Sequence, residues 1–293
     1  MRTHILPVFL FMAIALLSAS PSAANQLLVG TATADITPEG PVALRGQFHL
    51  RISKTVETPL SAGVVALESR NGDQTLDAAV MVACDLIAIS DDVRRMVREE
   101  VAKRVAGLAP AKIFFSGTHT HTAPVLDPGS FVLPKEGVLP IEQYRAFLVA
   151  RLADAIAEAW NGRAPGSVTW GLGHAVVAYN RRAVYADGSA RMYGATNVPE
   201  FRGIEGYEDH DVNTLFFWNA EGSLAAVAIN VACPSQVVEG RSTINADYLP
   251  TERAVRGGSY SAIVQSNLVG PEGGQVLVDK TVAAIDAVFV PRE

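Results

Sequence analysis

The stretch Ile113-Phe114-Phe115-Ser116-Gly117-Thr118-His119-Thr120-His121-Thr122-Ala123-Pro124 decides how the rest of the chain is read. Its opening residues are apolar or small and read as a buried strand. The two histidines follow as that strand ends, and Pro124 keeps a helix from running through them. Both imidazoles are therefore expected at a strand mouth. In an extended backbone, residues two apart point to the same side, so His119 and His121 can converge on one metal ion or share one substrate group. Two polar residues in a hydrogen-bonded turn are the plainer alternative, and a His-x-His by itself does not separate the two.

The residues before the stretch give it a setting. Val56 to Leu67 and Thr75 to Ile89 are β-branched, apolar runs separated by Asn71-Gly72-Asp73, a hairpin turn. Ser90 can then cap a helix with Asp91 and Asp92 in its first turn, and Val93, Met96, Val97, Val101 and Val105 at helical spacing. Gly107 and Pro110 close it. Residues 78 to 121 thus form a strand, helix, strand unit of the length expected for a right-handed parallel crossover. Ligands of open α/β sheets bind outside the carboxyl ends of parallel strands, which is where His119 and His121 fall. Asp85 ends the preceding strand Val80-Met81-Val82-Ala83-Cys84, as a site residue or equally as a loop cap.

Working outward, Leu27 to Asp35 reads as a strand that stops at Ile36-Thr37-Pro38-Glu39-Gly40-Pro41. The loop 128–140 leads to a long amphipathic helix, Ile141 to Trp160, closed by Asn161-Gly162. Val168 to Ala178 is a further strand ending at Tyr179-Asn180-Arg181-Arg182. Tyr185 to His210 is polar and without periodicity. Leu215 to Trp218 and Leu224 to Ala232 form a hairpin around Asn219-Ala220-Glu221-Gly222, and its second strand delivers Cys233-Pro234. A last helix runs from Gln275 to Phe289. The pattern predicts an α/β fold, a mixed sheet with flanking helices, in a single domain.

Of the 293 residues, 49% are hydrophobic and 18% charged, as in a globular protein. Arg2 and His4 precede an apolar run, Ile5 to Leu17, followed by Ser22-Ala23-Ala24. This reads as a secretory signal over residues 1–24, with export of 25–293. The run is shorter than the roughly 20 apolar residues of a membrane-spanning helix, and none like it recurs. The formal net charge is −6, and removing a leader with one arginine makes it more negative. Nucleic acid and anionic membranes are poor partners for such a chain, because binding them rests on clustered cations. Arg94-Arg95-Arg98 is a small cluster on the polar side of a helix. Cys84 and Cys233 enter a compartment that permits disulfides, and the sequence leaves open whether they pair.

Dinucleotide and phosphate-loop fingerprints are absent, and so is a Gly-x-Ser-x-Gly elbow. Paired histidines at one strand end, Asn180-Arg181 at another and Cys233 at a third point instead to a hydrolytic metal site. Ala34-Asp35-Ile36-Thr37-Pro38, Ser116 to His121, Asn180-Arg181, and the tail Tyr260 to Gly274 with its helix together resemble the neutral/alkaline, non-lysosomal ceramidases and their bacterial relatives. The likeness spans nearly the whole mature chain, and Gly117-Thr118-His119-Thr120-His121 is its most specific part. It implies zinc-dependent hydrolysis of an N-acyl amide such as N-acylsphingosine. His119 matches a zinc ligand, and His121 a histidine that polarises the scissile carbonyl or moves a proton. Arg181 matches a substrate-contacting arginine, with Asn180 beside it. Tyr260 is similar to a tyrosine that approaches the metal, at a looser spacing to Gly270-Pro271.

Two departures accompany the resemblance. Cys233-Pro234 stands where the family carries a zinc-ligating histidine before proline, and a thiolate donates more charge, reducing the ion's Lewis acidity. Leu249-Pro250-Thr251-Glu252-Arg253 follows Asn245-Ala246-Asp247-Tyr248 at once, where the family has a long segment with a serine nucleophile and a zinc-ligating glutamate. An internal deletion near 248–249 is implied. Two functions follow as expectations: an exported zinc amidohydrolase acting on a small-molecule or lipid amide, or a degenerate member that binds a lipid or partner without catalysis.

Overall fold

The computed structural model describes residues 25–233, 241–246 and 273–289. Strand β1 (Asn25–Asp35) is followed by three short strands, β2 (Ala43–Leu44), β3 (Arg51–Ile52) and β4 (Thr55–Val56). The hairpin β5 (Ser61–Asn71) and β6 (Gln74–Cys84) turns at Gly72, whose φ of 58° a side chain would resist. Helix α1 (Asp91–Arg104) then leads to β7 (Ile113–Gly117). Helix α2 (Ile141–Asn161) precedes β8 (Ala164–His174). The stretch with no periodicity holds a small sheet of β9 (Arg182–Tyr185), β10 (Ala190–Met192) and β11 (Phe201–Ile204). The chain continues through β12 (Asp211–Asn219), β13 (Leu224–Val231), β14 (Thr243–Ile244) and helix α3 (Gly273–Val288).

The main sheet is mixed, with the order β13-β12-β8-β1-β5-β6-β7. The expected crossover is present: β6 and β7 are parallel, in register from Val80↔Ile113 to Cys84↔Gly117, with α1 between them. Ser90 occupies the N-cap of α1, but its side chain makes no cap bond, so the predicted hydroxyl cap is corrected. Asp91 and Asp92 still place negative charge at the helix N-terminus, where the macrodipole favours it.

The sheet consists of two halves. One is β1-β5-β6-β7; the other is β8-β12-β13. They are joined through Leu28↔Pro165 and Val29↔Ala164, whereas β1 and β5 pair along their whole length. In the first half, Val64, Val80 and Val82 meet Val93, Val97 and Val101 of α1 and Leu148, Leu152 and Ile156 of α2, all buried in one core. Each such side chain contributes about 1.5–3 kcal/mol by leaving water. In the second half, Phe216 and Trp218 pack on Ala284 of α3, and a Cβ at Gly171 would stand 3.1 Å from that alanine. Gly30 approaches the Ala159 carbonyl of α2 so closely that a Cβ there would overlap it. Strand alternation through Leu28↔Pro165 puts Gly30 and Gly171 on the same face, so α2 and α3 flank the same side.

At the junction, Arg163 reaches Glu68 with Nε at 3.1 Å and Nη2 at 2.9 Å, and its guanidinium lies 3.3 Å from the centre of the Trp160 ring. Burial works to raise the Glu68 pKa, but hydrogen bonds from Thr75, Arg70 and Arg163 outweigh it and hold the carboxyl below its usual value. This ion pair ties the end of α2 to β5 just where the chain enters β8. No helix among the described residues is long and apolar enough to cross a membrane.

Candidate functional site

The end of β7 is set by the strand beside it. Thr118 N–H donates to the Cys84 carbonyl at 2.9 Å, and His119 N–H to that of Leu86 at 3.0 Å. His119 then takes φ 65°, so the backbone is not extended there, and the alternation expected of a strand is not what pairs the histidines. Their rings nevertheless stand 5.0 Å apart, tilted by 56°. The threonines between and beyond them supply the anchor. Thr120 and Thr122 are buried, and both hydroxyls donate to the Asn245 carbonyl, at 2.9 and 2.8 Å. Turning the hydroxyls inward leaves the imidazoles on the outer side.

His121 is gripped through its backbone and pressed from one side. Arg51, itself buried, donates from Nη2 to the His121 carbonyl at 2.6 Å and to the Arg45 carbonyl at 2.9 Å. Gly46, at φ 115°, lies so near that a Cβ would fall 2.4 Å from the His121 Cβ. Only glycine fits both the dihedral and the space. Asp85 is buried and accepts Ser61 N–H at 2.9 Å, Ser61 Oγ–H at 2.8 Å and Thr118 Oγ1–H at 3.3 Å. It caps the strand ends that carry His119.

His119 Nδ1 lies 2.9 Å from the Ile87 carbonyl. A carbonyl only accepts, so Nδ1 carries a proton there, the same second bond that orients a metal-ligating histidine. Cys233, just after β13, donates Sγ–H to the Val177 carbonyl at 3.3 Å. Burial pushes this thiol up to about 11, while the nearby Arg181 guanidinium pulls it down. To ligate zinc it would have to give up that bond and its proton. Tyr260 lies outside the described residues, as does the junction at 248–249. Among the described residues no three His, Cys, Asp or Glu side chains gather as a metal cage.

Arg181 stacks on Tyr193, with its guanidinium carbon 5.0 Å from the ring centre and Nη1 donating to the phenol oxygen at 2.7 Å. Asn180 is engaged with its own loop: its N–H donates to Glu208 Oε1 at 3.2 Å, its side-chain amide to the Glu205 carbonyl, and its Oδ1 accepts Arg182 N–H at 3.0 Å. Neither cysteine is in a disulfide. Cys84 faces the first core, with its thiol pushed up to about 12 by burial and the charge of Asp85. Cys233 follows β13 in the other half of the sheet, packed against Ala175, Val177 and Val212.

Where the halves part, a cavity of about 1970 Å³ opens, lined by residues of both. Thr31, Val65, Met81 and Phe114 form one wall in register across the first half, and Trp170, Leu215 and Ala228 another across the second. His119 lines it from the first half and Cys233 from the second; His121, Asn180 and Arg181 do not line it. Sequence reasoning missed Arg51, Gly46 and Tyr193. Gly46 between two long polar residues was a faint sign of a tight approach, and Arg51 and Tyr193 carried none.

No family model matches the chain, and no curated protein matches it. Solved structures do. A neutral ceramidase from Pseudomonas aeruginosa aligns at TM-score 0.57 and 20% identity over 78% of this chain and 34% of that one. A ceramidase complexed with C2 aligns at TM-score 0.58 and 20% identity over 76% and 34%. This chain therefore spans about a third of the length of the structures it matches, and what it shares with them is the ceramidase fold.

Proposed function

We propose that the protein is an exported hydrolase of an N-acyl amide, of the ceramidase type, with its site in the cleft between the two sheet halves. The observation that carries this reading is His119, its ring oriented by the Ile87 carbonyl, at the edge of a large, mostly apolar cavity within a ceramidase-like fold. An acyl chain would lie against Trp170, Leu215 and Met81, leaving the amide near His119 and Cys233. Zinc bound there would polarise the amide carbonyl and lower the pKa of a bound water from 15.7 to about 7.

His119 would hold the ion, with Cys233 and Tyr260 as the further candidates. His121, fixed by Arg51 and Gly46 with its ring 5.0 Å from that of His119, would pass a proton to the leaving amine, worth about 10²–10⁴-fold. Arg181, beside Cys233, would stabilise the anionic oxygen as the carbonyl is attacked. Asn180 would act by shaping the loop that presents Arg181. The expected internal deletion leaves no serine assigned as nucleophile, so the attacking group in this reading is water.

One observation favours the second reading, a lipid-binding protein without catalysis: the Cys233 thiol is protonated and engaged with Val177. Incubating the purified mature protein with N-dodecanoylsphingosine and zinc separates the two. Release of dodecanoate at a rate proportional to protein supports the hydrolase. Saturable binding of the intact amide with no release supports the binding protein.

A further inference from the structure

Among the described residues, two that are not glycine sit in the left-handed region, His119 at φ 65° and Tyr193 at φ 54°. A side chain resists that conformation, and it persists where the surroundings over-determine it, most often at functional sites. One of the two is the candidate metal ligand. The other touches the candidate oxyanion residue, although its place in the sequence is far from any motif.

Tyr193 follows β10, which pairs with β9 through Met192↔Arg182. From there it meets Arg181 in three ways. Its N–H donates to the Arg181 carbonyl at 2.9 Å, its phenol oxygen accepts Arg181 Nη1–H at 2.7 Å, and its ring lies under the guanidinium at 5.0 Å. The backbone bond fixes where the ring starts, and the left-handed turn aims it back at the side chain of the residue it has just bonded. Tyr193 is 43% exposed, so burying apolar surface is not what holds it in a strained conformation. An arginine side chain has many rotamers in water. One stacked and hydrogen-bonded on a rigid ring has few.

We propose that Tyr193 is a positioning residue for Arg181, holding its guanidinium where charge develops on the substrate carbonyl. This rests on the reading of Arg181 given above, while the contact itself does not. The small sheet β9-β10-β11 then has a purpose: it is the scaffold that brings the ring of Tyr193 back to the chain before β9.

The test compares Tyr193→Leu, Tyr193→Phe and, as a control, Tyr207→Leu, a change at a tyrosine 90% exposed. Modification of Arg181 by phenylglyoxal, followed by peptide mass spectrometry, reads the contact without requiring activity. Expected is several-fold faster modification in Tyr193→Leu, an intermediate rate in Tyr193→Phe, which keeps the stacked ring, and no change in Tyr207→Leu. With N-dodecanoylsphingosine, kcat should fall by about 10²-fold in Tyr193→Leu with KM little changed, and Tyr193→Phe should recover part of the loss. An Arg181 rate in Tyr193→Phe and Tyr193→Leu equal to wild type, with circular dichroism unchanged, would overturn the proposal. So would faster modification with kcat unaltered, or a loss shared by Tyr207→Leu. If wild type releases no dodecanoate, the hydrolase reading fails while the phenylglyoxal series still decides the contact. Should Tyr193→Leu not fold, the Tyr193→Phe rate decides.

Discussion

The two halves of the sheet are built differently. The β1-β5-β6-β7 half is backed by two helices over a continuous core in which Val80, Val97, Leu148 and Ile156 are fully buried. Among the described residues, the β8-β12-β13 half has smaller clusters and one helix against it, with Trp170 75% and Leu172 67% exposed. The two are stitched by a short pairing and by Glu68 with Arg163. The first half supplies a wall backed by a continuous core with His119 on it; the second supplies a wall backed by smaller clusters with Cys233 on it.

Stability measurements should break this contrast first if it is wrong. Leu148→Ala removes a fully buried side chain under the first half and should cost about 2–5 kcal/mol in urea unfolding. Leu172→Ala in the second half should stay within about 0.5 kcal/mol. Comparable losses would mean that the halves share one core.

A smaller loss is expected at the site wall. Gly46→Ala puts a methyl into the His121 Cβ at a φ that alanine resists, so it should cost about 1–3 kcal/mol and displace the imidazole. Thermal unfolding and the His121 ring resonance read the two effects together. An unmoved resonance would remove Gly46 from the account.

The junction sharpens the contrast through pH. The Glu68 carboxyl is held below its unfolded value, so its contribution is fully present above about pH 4.3, the unfolded value, and is lost as pH falls through the lower folded value. Wild type should lose stability on that descent more steeply than Glu68→Gln, whose curve starts lower and is flatter. Parallel curves would show that the pair does not bind the halves.

The smallest effect is chemical. Neither cysteine is in a disulfide and both thiols are raised, so two thiols per chain should titrate in denaturant without reductant, and native alkylation at pH 8 should be slow at each. Cys233, half-buried at the cavity, should react ahead of Cys84 in the core. The reverse order would place Cys233 away from the cleft.

The same division governs how much the sequence disclosed. The crossover from β6 through α1 to β7 was legible because its apolar spacing switches from strand to helix and back with clear punctuation at Ser90, Gly107 and Pro110. Helix α2 and the β12-β13 hairpin were legible for similar reasons. The small sheet was not: its strands hold three or four residues, too few to show a period, and their pairing is decided by tertiary contact. The neighbouring of β1 and β8 joins residues far apart in the chain through a single short pairing, which no local pattern announces. At the site, His119 and His121 were found for a partly mistaken reason. Their proximity comes from the inward pull of Thr120 and Thr122 and a left-handed turn, not from an extended strand. Cys233 was located at its strand end, whereas its neutral, hydrogen-bonded state depends on burial that appears only in three dimensions.

Zinc content measured alongside dodecanoate release tests the central claim most directly, with His119→Ala set against His174→Ala, a histidine at the far end of β8 that does not line the cavity. One zinc per chain and turnover are expected in wild type and in His174→Ala, with both lost in His119→Ala. Zinc and turnover retained in His119→Ala, or absent from wild type supplied with the metal, would contradict it.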